Sequence, residues 1–238
     1  MQLNHLWSLA VEEHFYLVWP FVIRYASRRL LLVICLACIA FALGLRLAIM
    51  ISIHNYIACY ALTPCRIDGL AMGAMLALLV RGNLGRERLQ LAAWWTMFVS
   101  VTMLILIAGI TRRFNYSDTL IVTVGITLLT MLFGSVVALA VASPATSGIV
   151  RFFNLGPLRT FGKFSYGLYV FHAALLPFTL WMAPIGQLTA WTHSRAMATC
   201  VIAALGFIIS WAAAFLSWHL YEKRFIALKK FFEYRSHN

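Results

Sequence analysis

The sequence predicts an all-α protein, a polytopic membrane helix bundle of about seven transmembrane helices in a single membrane-embedded domain over residues 1–238. Three observations predict it. Hydrophobic residues make up 63% of the chain and charged residues 11%, with a mean hydropathy of +0.86. A soluble globular domain is about half apolar and about a quarter charged. The apolar residues fall into runs close to the roughly 20 residues that a helix needs to cross about 30 Å of hydrocarbon. Those runs lack the period-two alternation of a membrane barrel. A soluble, disordered or fibrous protein is therefore excluded, and neither an internal repeat nor a low-complexity stretch is visible.

The expected spans run in order along the chain. The first, 7–23, is atypical because it carries Glu12 and Glu13. The second, 30–52, is broken only by Arg46. The third, 66–80, is short and opens with Arg66 and Asp68. The fourth (91–110) and fifth (119–142) are plain apolar runs, with Trp94 and Trp95 as interface anchors on the fourth. Segment 144–163 contains Pro144 and Pro157 and reads as an interfacial turn or short helix. The sixth span is 164–183 and the seventh 197–220. The first run lacks a small-residue cleavage site, so no cleavable signal peptide is expected.

Nineteen Lys+Arg against seven Asp+Glu give a net charge of +12. No basic stripe lies outside the short connections, so nucleic acid is not an expected partner. Membrane lipid is, because basic residues mark cytoplasmic loops and face anionic headgroups. One set of alternating connections holds Arg24, Arg28, Arg29, Arg81, Arg86, Arg88, Arg151, Arg159, Lys163 and, in the tail, Lys223, Arg224, Lys229, Lys230 and Arg235. The other holds Arg112, Arg113 and Arg195. Fourteen against three predicts an integral membrane protein with a cytoplasmic C-terminus. The five cysteines do not read as a disulfide framework. Cys35 and Cys38 sit in an apolar run as packing residues, while Cys59 and Cys65 flank a predicted outer loop where an oxidising compartment permits pairing.

Polar residues within spans are costly and mark functional sites by default. On a helix His5, Ser8, Glu12, Tyr16 and Trp19 share one stripe, beside Glu13. Two adjacent carboxylates against an apolar wall suit general acid/base work. The plain alternative is a helix end with both carboxylates in water. Arg66, Gly69, Gly73 and Ala77 form a second face, where a G-x-x-x-G permits close backbone approach. Arg66 on that face is placed to hold Glu12, Glu13 or a ligand anion, and Asp68 points roughly opposite. The alternative is a packing motif with a structural ion pair. Ser165, Tyr169 and His172 fall on a third stripe. No acid close in sequence completes a Ser-His-acid triad, and metal spacings and phosphate-cradling glycine loops are absent, so no metal is expected.

The run Trp7-Ser8-Leu9-Ala10-Val11-Glu12-Glu13-His14-Phe15-Tyr16-Leu17-Val18-Trp19-Pro20 closely resembles the W-S-L-x-V-E-E-x-F-Y-L-x-W-P signature of acyltransferase family 3, integral-membrane enzymes that O-acylate surface glycans. Arg66-x-Asp68-Gly69-x-x-x-Gly73, Gly162-x-x-Ser165-Tyr166-x-x-Tyr169-x-x-His172 and Tyr221-Glu222 resemble three later motifs in the family's order. The chain departs from the pattern at Arg224, where the family usually has Pro. It also lacks a basic residue followed eleven positions later by His, which the family carries on an earlier helix and regards as central to acyl transfer. The resemblance therefore implies the C-terminal portion of such an enzyme, without the N-terminal helices, in a bacterial inner membrane. It implies acyl-CoA as co-substrate, commonly acetyl-CoA, with no other cofactor, and a glycan or lipid-linked hydroxyl as acceptor. Glu12, Glu13, Arg66 and Asp68 become the catalytic candidates. His5, Trp7, Ser8, Tyr16, Ser165, Tyr169 and His172 become the substrate-binding ones. The competing reading is a non-catalytic membrane protein: a transporter or flippase-like subunit, or an inactive fragment.

Overall fold

The structure is a computed structural model that describes residues 7–82, 84–111 and 116–228. His5 and the basic residues 112, 113, 229, 230 and 235 lie outside the described residues. Among the described residues every regular element is a helix, and none is a strand. Five stretches of the described residues are long and apolar enough to cross a membrane: Arg28–Ser52, Tyr56–Val80, Arg86–Thr111, Ile121–Ala142 and Arg195–Leu228. The protein is an all-α integral membrane bundle. Its surface agrees, since Leu17, Ile51, Ile105 and Ile110 are each about two-thirds exposed or more, an arrangement that suits lipid rather than water.

The described chain divides into two compact units, Trp7–Phe153 and one running from Asn154 onward. In the first, α1 (Trp7–Tyr25) is followed by α2 (Arg28–Ser52), α3 (Tyr56–Ala61), α4 (Thr63–Val80), α5 (Arg86–Thr111), α6 (Ile126–Ala142) and the short α7 (Gly148–Phe153). A π-helical turn, Ile121–Gly125, leads into α6. Helix starts carry their expected signals. Ser27 Oγ accepts from the Leu30 amide at the head of α2, Asn55 accepts from the Ala58 amide at the head of α3, and Pro64 opens α4. Packing is pairwise: α2 against α4 and α5 against α6, joined by α4 on α6, with α1 lying on α4. Cys35 and Ile39 of α2 meet Ala71 and Met72 of α4 in one core, and Leu89 and Ala93 of α5 meet Ala138, Leu139 and Ala142 of α6 in another. Alanine sits among the larger residues of both seams, with cysteine in the first, and small residues let backbones approach in a medium where burial alone does not drive helices together.

The second unit contains α8 (Gly156–Ala174), α9 (Leu176–Met182), α10 (Ile185–Thr192), α11 (Arg195–Ser217), a π-helical turn at Trp218–Glu222 and α12 (Lys223–Leu228). Helix α8 packs on α11, with Gly167 against Ala214 and Phe164 ringed by Trp211, Phe215 and Trp218. Ser194 caps α11 by accepting from the Met197 amide.

Three expected spans differ in form. The run 7–23 is a 19-residue helix, but Glu12, Glu13 and Arg24 leave it outside the five apolar spans. The run 164–183 is broken at Leu175: α8 ends at Ala174, and Pro177 opens α9, because proline lacks the N–H that would continue the ladder. The third span reaches further than its apolar run, from Tyr56 through a kink at Leu62. Cys59 and Cys65 consequently sit buried in α3 and α4 rather than flanking a loop, and all five cysteines are free thiols.

Candidate functional site

Helix α1 lays one face on the first half of α4. His14 Nδ1 stands 2.9 Å from the Thr63 hydroxyl, at the residue where α4 begins. Between the two helices lies a pocket of about 170 Å³ lined by Trp7, Ser8, Val11 and Glu12 from α1 and by Arg66, Gly69 and Leu70 from α4. Three-and-four spacing puts Ser8 and Glu12 on one stripe, as the sequence predicts. The residues Trp7, Ser8, Glu12 and Arg66, drawn from two separate motifs, are thus brought to one cavity. Glu12, Glu13 and Tyr16 are all exposed on α1, and of the three only Glu12 lines the pocket.

Glu12 and Arg66 do not form an ion pair. Among the described residues the ion pair within 4 Å is a different one, Arg46 with Asp68 at 2.8 Å. A carboxylate and a guanidinium that share a cavity without neutralising each other can both act on a third molecule.

Asp68 takes no part in that pocket. It is 1% exposed and Arg46 is fully buried. Arg46 donates through Nη2 to Asp68 Oδ2 and, at 2.7 Å, to the Thr127 hydroxyl, and through Nη1 to the Cys65 carbonyl. Its Nε has no hydrogen-bond partner among the described residues. Asp68 Oδ1 accepts from the Gly69 amide at 2.9 Å. This network ties α2, α4 and α6 together at bilayer depth, where an unpaired charge is far costlier than a paired one. Asp68, expected among the catalytic candidates, is not brought to the pocket of Glu12 and Arg66: two positions from Arg66 puts it about 200° around the helix, where it pairs with Arg46. Arg46 and Thr127 were the residues missed. The available signal was a lone arginine inside an otherwise clean apolar run, which at bilayer depth demands an acidic partner.

The glycine motif also acts differently from the expectation. A Cβ built on Gly69 or Gly73 meets nothing within 4 Å. These glycines hollow out space instead of bringing backbones together. The close approach on α6 is at Gly134, where a Cβ would stand 2.7 Å from Met72 Cγ. The hollow is a second cavity of about 590 Å³ between α4 and α6, which shares Arg66 and Gly69 with the first.

The third predicted stripe lies on α8 of the second unit. Ser165 Oγ donates to the Gly162 carbonyl at 2.9 Å. His172 Nδ1 lies 2.6 Å from the Tyr169 carbonyl, an acceptor that fixes the ring proton on Nδ1. The Tyr169 and His172 rings lie 5.6 Å apart.

A membrane helix bundle with a carboxylate and a guanidinium facing one small pocket is the class that fold and site define. The chain is similar to the O-acetyltransferase OatA of Staphylococcus aureus (strain NCTC 8325 / PS 47), at 25% identity over 204 residues, covering 80% of this chain and 32% of that protein. It is similar to the peptidoglycan O-acetyltransferase OatA of Listeria monocytogenes serovar 1/2a (strain ATCC BAA-679 / EGD-e), at 28% identity with 86% and 34% covered. It is also similar to the putative peptidoglycan O-acetyltransferase YrhL of Bacillus subtilis (strain 168), at 27% identity with 86% and 33% covered. The chain spans about a third of the length of these relatives. No family model matches it, and no solved structure does.

Proposed function

We propose that this chain is the C-terminal membrane portion of an O-acyltransferase of the acyltransferase 3 type, which moves an acyl group, acetyl by the names of its relatives, from acyl-CoA to a hydroxyl of a cell-surface glycan such as peptidoglycan. The observation that carries this reading is the pocket in which Glu12 and Arg66 face the same space without pairing. It is supported by the similarity of most of the chain to proteins named O-acetyltransferases.

In this reading Glu12 takes the proton of the acceptor hydroxyl. The oxygen attacks the thioester carbonyl, a C–O bond forms, and the C–S bond breaks. The proton leaves with the thiolate as free CoA. Arg66 stabilises the negative charge that collects on the carbonyl oxygen. Trp7 and Ser8 hold the acceptor in the pocket. Glu13 and Tyr16 extend that surface outward. Ser165, Tyr169 and His172 bind substrate on α8. The protein sits in a bacterial inner membrane with its C-terminus in the cytoplasm, the compartment of the acyl-CoA.

The test is acetyl ester released by mild base from the glycan of a host lacking its own O-acetyltransferases and expressing the full chain. Glu12→Gln and Arg66→Ala are each expected to lower it by about 10²-fold or more, the usual loss for a general base or an oxyanion-stabilising group. Ester at host background with the unaltered chain, or wild-type ester in both variants, overturns the proposal.

A further inference from the structure

The buried arginine of α2 grips the turn of α4 that carries Arg66. Arg46 donates through Nη1 to the carbonyl of Cys65, the residue before Arg66, and through Nη2 to the carboxylate of Asp68, two residues after it. Asp68 in turn accepts from the amide of Gly69, which lines the small pocket together with Arg66. The carbonyl of Arg46 accepts from Cys59 Sγ at 3.8 Å, so the same residue also holds α3, on the other side of the kink at Leu62.

This grip has a direction that the neighbouring contacts lack. On the face of α4 that presents Arg66, a Cβ on Gly69 or Gly73 meets nothing within 4 Å, so those positions offer no stop to a turn of the helix about its axis. Towards α2, Ala71 and Met72 press on Cys35 and Ile39 through van der Waals contacts that are individually weak. A guanidinium fork closed on a carbonyl and a carboxylate has a set geometry. Asp68 stands about 200° from Arg66, so holding the far side of α4 fixes the near side. With Cα atoms at a radius of about 2.3 Å, a turn of about 25° carries the Arg66 Cα by about 1 Å, and a misplacement of that size can cost about 10²-fold in rate.

We propose that Arg46 is a positioning residue: through Cys65 and Asp68 it sets the rotation of α4 and so aims Arg66 into the pocket shared with Glu12. This role rests on the reaction assigned to that pocket, and a measurement that needs no activity separates the two.

The test uses the paired change Arg46→Met with Asp68→Leu, which removes the grip without stranding a charge. Ser8 and Gly69 line the pocket from opposite helices. In the full chain carrying Ser8→Cys and Gly69→Cys, a short bis-maleimide joins the two positions, and the linked peptides are quantified by mass spectrometry. Acetyl ester on the glycan is measured in parallel without the added cysteines. The paired variant is expected to melt close to the unaltered protein, yet to lose about five-fold in cross-link and about ten-fold or more in ester. A role in stability alone predicts that a folded variant keeps both. If thermal unfolding shows that the pair does not fold, Arg46→Lys replaces it. Lysine keeps the charge beside Asp68 but is a point donor without the fork, and the same losses are expected. Undiminished cross-link or wild-type ester in the folded variant overturns the positioning role. Ester at host background in the unaltered chain overturns the assigned reaction instead, and the cross-link then still decides whether Arg46 sets the rotation of α4.

Discussion

Arg66 and Asp68 stand two positions apart on α4, and their surroundings diverge as far as their directions do. Arg66 faces cavities on either side of its helix face. Asp68 is sealed against Arg46, with Thr127 sharing the same guanidinium nitrogen. Removing one partner strands the other's charge in the bundle. Asp68→Asn is therefore expected to destabilise the protein by about 3–5 kcal/mol, and the paired change Arg46→Met with Asp68→Leu to recover most of that loss. Thermal unfolding of both variants in detergent, followed by tryptophan fluorescence, checks it; an Asp68→Asn variant that melts with the unaltered protein refutes the role. The opposed directions of Arg66 and Asp68 were legible from the helical repeat alone. The partner was not, because Arg46 lies 22 residues earlier on a different helix, and local spacing carries no information about which turn of one helix meets which turn of another.

At the scale of elements, apolar run length located the helices, because a bilayer leaves backbone polar groups no partner but their own helix. It misjudged their ends. The fourth expected span starts at Arg86 rather than at 91, since polar residues extend a helix beyond the hydrocarbon without being apolar themselves. The sequence likewise could not tell which glycines pack and which make room, because that depends on what stands opposite. On α8 the two kinds sit five residues apart: a Cβ on Gly162 meets nothing within 4 Å, while one on Gly167 would stand 2.9 Å from Ala214 Cβ. Gly167→Leu is expected to prise α8 from α11 and destabilise by about 1–3 kcal/mol, the usual cost of overpacking. Gly162→Leu is expected to be neutral or slightly stabilising, as leucine has the higher helix propensity. Denaturation midpoints of the two variants compare them directly, and equal midpoints remove the distinction between the two glycines.

For the whole molecule, the distribution of basic residues predicts what the pocket faces. The connection after α4 carries Arg81 and precedes Arg86 and Arg88. If that connection is cytoplasmic, as the charge bias requires, then the opposite end of α4, where Arg66 and the Glu12 pocket lie, is in the outer half of the bilayer. In the proposed reaction a glycan hydroxyl outside the cell then reaches the pocket directly, and the acyl group is the partner that must travel. The orientation can be read from fusions. Green fluorescent protein inserted in the connection between α4 and α5 is expected to fluoresce, and alkaline phosphatase inserted in the 112–118 connection is expected to be active, because the single span Arg86–Thr111 separates the two positions. A dark fusion before α5 with an inactive phosphatase inverts the molecule. The pocket would then open towards the cytoplasm, the acyl donor would have direct access, and the acceptor would have to be a glycan precursor made inside the cell.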